Sequence, residues 1–291
     1  ISNDVDCIVG AMDQKTTPAY RPLNYFGGTL DELRIWDQAL TVNEIRTMMN
    51  QEVEDSLGAL HGSIVPLRVA SLDWIDLYGY YQMNQATDIV GGNLQSNGNS
   101  GITGRLRNMV TDQVESAPLP YLSTQNGLFF NGTTWLYGNV QQVPNNTSIN
   151  GTTPIDWNIV RTSHNVIQRN NNVVLLGLDV VSNEFTVENT NALDGHSLRL
   201  THYLKLDGLI DLVGESQLIQ DSGSIVDDMS AGVLERDQQG TTNLYNYNYW
   251  TSPVNTGTNT YSIGGVLHDG TTATNPQTIL WTGGQDAPGT A

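Results

Sequence analysis

The chain is 291 residues long, and its 30 acidic side chains against 12 basic ones give a formal charge of −18. That length holds one large all-β unit or two ordinary domains, each with a sizeable core. The charge argues against nucleic acid, because phosphate binding needs Lys and Arg to displace counterions, and it disfavours anionic membranes as well.

The acidity has a plain reading, solubility in a salty exterior, and a sharper one, calcium held by carboxylate and carbonyl oxygens. No Asp-x-Asp-x-Asp loop of the EF-hand kind is present, so the plain reading is preferred, no cofactor is certain, and calcium stands as the alternative with no ligand named. The chain opens on Ile1 without an initiator Met or a signal peptide and stops on a Gly-rich turn, which reads as a piece of something longer. Cys7 cannot form an internal disulfide, and its Ile-Val-Gly neighbourhood marks it as a small buried hydrophobe.

The first well-formed element lies in FGGTLDELRIWDQALTVNEI, Phe26 to Ile45. Leu33, Ile35 and Trp36 sit in a strand-like run. Thr41 and Glu44 then stand at capping-box spacing, which predicts a helix from about Val42. Leu40 and Ile45 are placed to form a hydrophobic staple across that start. Residues 52–62 read as a connector, and APLP before Tyr121 marks a second soft boundary.

Farther on, short apolar runs punctuated by Gly, Asn and Thr make the chain all-β apart from the one helix. Asn131, Asn145 and Asn150 open sequon-containing stretches whose residues read as turn formers. Leu176, Leu178 and Val180, then Phe185 and Val187, are alternating runs. Leu198 and Leu200, Leu204 and Leu206, and Ile210 and Leu212 form pairs that recur every six residues, with Leu218 in the same parity. Alternation buries one face of a strand. The six-residue step resembles the short units of a β-solenoid, and a twisted antiparallel meander is the competing reading. Tyr245, Tyr247 and Tyr249 alternate with Asn before Trp250, projecting three rings to one face, for sugar stacking or for the commoner cross-strand packing.

Motifs for chemistry are few. His61, His164, His196, His202 and His268 include no HExxH pair, and no GxSxG elbow, P-loop or Rossmann fingerprint occurs. Paired carboxylates for glycoside hydrolysis need no signature. Asp207, Asp211 and Glu215 form one candidate set and Glu235 and Asp237 another; solvation of outward positions accounts for Asp207 and Asp211, and Glu235-Arg236-Asp237 reads as a turn-like run with its own cation.

Three stretches carry a resemblance. GGTLDELRIWDQALTVNEI is similar to the C-terminal strand and helix of the laminin-G-like, concanavalin-A-like jelly roll, through Gly28, Asp31, Glu32, Arg34, Ile35, Trp36, Leu40, Glu44 and Ile45. The resemblance implies a structural corner there, with no ligand role. YYQMNQATDIVGGNLQSNGNSGITGRLRNM, Tyr80 to Met109, resembles the opening of such a domain. The two pieces either belong to two domains or complete one sandwich. TPIDWNIVRTSHNV, THYLKLDGLIDLVGESQLIQ, LERDQQGTTNLYNYNYWTSPV and VLHDGTTATNPQTILWT resemble the C-terminal regions of large secreted surface proteins of Bacteroidota exported by type IX secretion. In such proteins an Asp-Ser/Thr-apolar tripeptide accepts an O-linked glycan, and Asp55-Ser56-Leu57 fits with Ser56 as acceptor.

The expectation is an all-β chain: a jelly-roll portion with one short helix, then a β-solenoid-like or β-sandwich portion. The divisions are 1–55 (end of a laminin-G-like jelly roll), 56–120 (connector and opening strands), 121–240 (β-solenoid-like) and 241–291 (β-rich C-terminal segment). The expected function is non-enzymatic: a secreted cell-surface adhesin or extracellular structural protein, self-assembling by strand addition or binding surface glycans, and attached to the outer-membrane surface through regions outside this chain. The alternative is a carbohydrate-binding module or polysaccharide hydrolase, with Tyr245, Tyr247, Tyr249 and Trp250 as its sugar platform.

Overall fold

Thr41 and Glu44 start the first helix as their spacing requires. The structure, a computed structural model, describes residues 8–12, 23–28, 30–83, 93–95, 98, 103–105, 120–138, 142–191, 194–238, 263–270 and 277–278. After strand β1 (Leu33–Trp36), helix α1 (Val42–Met48) begins directly behind Thr41. Glu44 N donates to Thr41 Oγ1 at 3.3 Å and Thr41 N donates to Glu44 Oε2 at 2.7 Å, satisfying two otherwise orphaned groups. Of the expected staple pair, Ile45 is 44% exposed. Glu44 and Met48, four residues apart, share the buried face, and Ile45 stands about 100° around the helix from Glu44. Leu40 packs against the cluster that contains Met48.

Beyond α1, β2 (Val53–Ser56), β3 (Ala59–Gly62) and β4 (Arg68–Asp73) form a three-stranded antiparallel sheet. The division drawn between Asp55 and Ser56 falls inside β2. Strand β5 (Leu77–Tyr81) then returns to pair antiparallel with β1, setting Arg34 opposite Tyr80 and Leu33 opposite Tyr81. The two segments that resemble a domain end and a domain beginning therefore meet, at this strand pair, within one chain. Met48, Val53, Leu60, Val69, Leu72, Leu77 and Tyr80 form the core that closes between them. Strands β6 (Asn93–Gln95) and β7 (Thr103–Arg105) pair antiparallel, with no other strand beside them among the described residues.

From Tyr121 the architecture changes to parallel pairing. The strands are β8 (Tyr121–Leu122), β9 (Gly127–Leu128), β10 (Ile159–Thr162), β11 (Val166–Arg169), β12 (Val173–Val180), β13 (Glu184–Glu188), β14 (Ser197–Leu206), β15 (Leu209–Leu212), β16 (Gln217–Gln220), β17 (Ile225–Val226) and β18 (Val233–Arg236). One sheet runs β16-β14-β12-β10-β8, with β17 also on β14, and the other runs β18-β15-β13-β11-β9. The chain thus crosses from the first sheet to the second and back, and each pass stacks on the one before. Farther along lie a short helix α2 (Ile263–Val266) and an antiparallel pair, β19 (His268–Asp269) with β20 (Gln277–Thr278).

Side chains fill the space between the two parallel sheets. Leu175 lies in register with Leu200, Leu178 with Leu204, and Phe185 with Ile210, which in turn pairs with Leu234. Phe129, Trp135, Val160, Val166 and Val187 join this core. Full burial of each such aliphatic or aromatic side chain is worth about 1.5–3 kcal/mol against leaving it in water. The six-residue step is not the stacking unit. Leu198, Leu200, Leu204 and Leu206 occupy one strand, Ile210 and Leu212 face them from the other sheet, and one pass of the chain, as from Phe185 to Ile210, is far longer. Alternation in β12 also breaks: Leu176 leaves the inner face because the register with β14 shifts between Leu175 and Gly177.

Asn residues hold the corners. Asn126 Oδ1 accepts from Asn165 N at 3.0 Å, and Asn165 Oδ1 accepts from Glu184 N at 3.1 Å, so each pass offers an acceptor to the backbone of the next. At the opposite corner Asn170 and Asn172 do the same for Thr190 N and Ser197 N. Asn170 and Asn183 adopt φ of 62°, a left-handed conformation that Asn tolerates. Asn131 caps a short turn and Asn150 sits in one, each accepting from nearby backbone N–H groups, while Asn145 takes positive φ in a turn and donates to the more distant Ile155 O and Val174 O.

The N-terminal unit packs on the outward face of the first parallel sheet. Val65 joins Ile159, Leu176 and Tyr203 there, with Ile64, Leu67 and Trp157 at the margin. The guanidinium of Arg46 stacks over the Trp157 ring at 4.1 Å. A Cβ at Gly177 would fall 2.6 Å from Val65 Cγ2, so the close approach needs glycine.

Candidate functional site

Three places in the described structure bring together groups capable of recognition or proton chemistry. The first is the motif Glu32-Leu33-Arg34. Arg34 donates to Met48 O at 2.9 Å and to Gln51 O at 2.6 Å, capping the C-terminal end of α1, and it also bonds Glu32. Tyr80 OH donates to Glu32 Oε2 at 2.8 Å. Burial raises the Glu32 pKa, with Arg34 offsetting part of the effect. Burial and then the Glu32 charge push the Tyr80 phenol up to about 12. The two ionised side chains of the Glu32–Arg34 pair are each 11% exposed, so the cluster is a structural clamp between β1, α1 and β5.

The second is a shallow cavity of about 550 Å³ beside the β2–β3 hairpin, lined by Asp55, Leu57, Arg68, Asp73, Trp74 and Ile75, among others. Leu57 and Gly58 both take positive φ, and Gly58 N donates to Asp55 Oδ1 at 2.8 Å, which fixes the turn. Leu57 is fully exposed at its tip and Ile75 largely so. Arg68 pairs with Asp73 at 2.7 Å on the rim. Ser56, the glycan-acceptor candidate, is the half-buried last residue of β2 beside this turn.

The third is the outward face of the second parallel sheet. Thr186, Asp211 and Glu235 stand side by side on neighbouring strands. Parallel strands are spaced by about 4.8 Å, so the two carboxylates are neighbours although the sequence places them in separate sets. Burial first, then the charges of Glu235, Glu184, Asp237 and Glu188, raise the Asp211 pKa to about 7. Glu235 is raised as well, by burial and by Asp237 and Glu184.

The remaining carboxylate candidates are dispersed. Asp207 accepts from Ala231 N at 3.3 Å and lies 3.9 Å from Lys205 Nζ. Glu215 is 70% exposed, with Arg236 at 3.9 Å, and Asp237 Oδ2 accepts from Gly214 N at 3.4 Å. Tyr245, Tyr247, Tyr249 and Trp250 lie outside the described residues, as does Cys7. Among the described residues no group of three or more His, Cys, Asp or Glu side chains is arranged to hold a metal ion.

Two buried groups had no signal in the sequence. Asp179 is 4% exposed on the outward face of the first parallel sheet and pairs with Arg161 at 2.9 Å. Desolvation raises its pKa against the pull of Arg161 and Lys205. Ser123 Oγ lies 3.0 Å from His164 Nδ1 and accepts from Ser163 N at 2.9 Å, closing a corner of the stack. No helix among the described residues is long and apolar enough to cross a membrane. No protein-family model, curated protein or solved structure matches the chain.

Proposed function

We propose that the chain is a non-enzymatic segment of a secreted cell-surface adhesin or extracellular structural protein, in which a jelly-roll-like N-terminal unit sits against a two-sheet β-solenoid. The observation that carries this reading is the last pass of the parallel stack. Ile219, Ile225, Val226, Met229 and Val233 are all exposed there, and β16, β17 and β18 each pair on one side only among the described residues. Open strand edges beside apolar side chains accept a further strand by backbone hydrogen bonding, and a contact repeated head to tail builds a filament. A solid, side-chain-filled interior suits a structural rod better than an enzyme with a deep cleft. Export by type IX secretion in Bacteroidota rests on the sequence resemblance.

Electron microscopy of the purified chain, with calcium and with chelator, tests the assembly reading. Ordered filaments or rings are the expected result, and their loss on chelation places calcium at the contacts. Monodisperse single particles in both conditions overturn it.

The groove at the β2–β3 hairpin favours a second reading, binding of a surface glycan. Trp74, Leu57 and Ile75 offer apolar surface next to Asp55, Arg68 and Asp73, the mixture that a sugar ring engages. A glycan array probed with the native chain and with the Asp73→Asn and Leu57→Asp variants decides it. Signal lost in both variants supports the groove, and signal unchanged in both rules it out.

A further inference from the structure

Asp211 projects from β15 on the outward side, between Ile210 and Leu212, which are both buried inward. Its in-register neighbours are Thr186 on β13 and Glu235 on β18. Thr186 offers no proton to Asp211, because its hydroxyl donates to Glu184 Oε1 at 2.7 Å. The other charges acting on the pair are Glu184 and Glu188 from β13, Asp237 beyond β18, and His268 from β19. The nearby cations are engaged elsewhere: Arg169 bonds Glu188, and Arg236 points toward Glu215. A half-buried carboxylate is thus stacked on a second carboxylate with three more acids around it and no described donor.

We infer that Asp211 and Glu235, side by side on β15 and β18, form a pH-sensitive contact, and that ionisation of Asp211 loosens the last pass of the parallel stack. Protonated, Asp211 sets no charge against Glu235 across the strand gap. Ionised, the two repel over a distance at which like charges on adjacent strands destabilise pairing. β18 is the strand on which this falls hardest. Among the described residues it is an edge strand, paired with β15 alone, with Val233 exposed and Leu234 only partly buried.

The direction of the pH effect follows from the raised affinity for the proton. The folded chain holds the proton at a pH where the unfolded chain has lost it. The stabilisation is complete below the ordinary carboxylate range, near about pH 4, and is lost as pH rises through about 7.

Hydrogen exchange on the native chain reads this out in the peptide covering residues 231–238. After correction for the intrinsic rate, its protection should fall by up to about tenfold per pH unit between about pH 5 and about pH 7, the limit for one linked proton. In Asp211→Asn protection of that peptide should depend far less on pH, and in Glu235→Gln the slope should be reduced but not abolished, because burial and the remaining acids still raise Asp211. A carbon-detected titration of the Asp211 carboxyl supplies a second measure that needs no variant, with its midpoint expected near neutrality. A flat wild-type profile, an unchanged slope in Asp211→Asn, or an Asp211 midpoint in the ordinary carboxylate range overturns the inference.

Discussion

Asn158 Nδ2 donates to Asn50 Oδ1 at 2.8 Å, joining residues 108 positions apart and tying the end of α1 to the first strands of the parallel stack. The same oxygen accepts from Ile159 N at 3.3 Å, and Asn158 Oδ1 in turn accepts from Asn145 N at 2.8 Å. Both Asn50 and Asn158 are buried. Replacing Asn50 by Ala leaves two buried donors without an acceptor, at a cost of about 1–3 kcal/mol for each group. Denaturant unfolding of Asn50→Ala, Asn158→Ala and the double variant should give clearly non-additive losses, since both single changes break one shared contact. Additive losses would mean that the two units do not communicate through this bond.

The clamp of Glu32, Arg34 and Tyr80 predicts an asymmetric mutational response. Arg34→Met strands the Glu32 carboxylate and should destabilise by about 3–5 kcal/mol, whereas Glu32→Gln combined with Arg34→Met should recover much of that. The measurement is the urea midpoint of the two variants.

Alkaline stability depends on the same cluster. The Tyr80 phenol is raised to about 12 in the folded chain. Its contribution is therefore complete below the unfolded phenol value of about 10 and is lost as pH rises through about 12. Melting temperature followed across this range should fall more steeply for the native chain than for Tyr80→Phe.

Two glycines separate tight packing from open space. A Cβ at Gly195 would lie 2.1 Å from the Glu215 backbone, which belongs to the next pass, while a Cβ at Gly223 meets nothing within 4 Å. Gly195→Ala should force the passes apart and cost several times the ~1 kcal/mol of a typical substitution. Gly223→Ala should be near neutral. Equal melting temperatures for the two variants would contradict the stacking at that corner.

The interior and the surface of β14 should differ as strongly. Leu200→Ala removes a fully buried side chain and is expected to cost about 2–5 kcal/mol. Arg199→Ala, one residue away, removes an ion pair with Asp221 made by a half-exposed side chain and should cost about 0–1 kcal/mol. Chemical denaturation of both variants checks the assignment of faces.

Local chemistry was legible in the sequence and long-range pairing was not. Thr41 and Glu44 announced α1 because a capping box is made of groups within one turn of each other. The alternation of Leu198, Leu200, Leu204 and Leu206 announced a strand buried on one face, and the Asn residues announced turns. The strand partners were hidden: whether Leu204 stands beside Leu178 or folds back on Ile210 depends on the length of each pass and on a register shift in β12, neither of which leaves a periodic mark. The pairing of β1 with β5 was left open between one sandwich and two domains, since Arg34 and Tyr80 meet only once the hairpin strands between them have closed. Asp211 and Glu235 were read as members of separate sets, and only parallel stacking makes them neighbours. Short-range hydrogen bonds and side-chain alternation are properties of the chain itself. Which surfaces bury each other, and which charges are thereby forced together, is decided by the packing of elements distant in sequence.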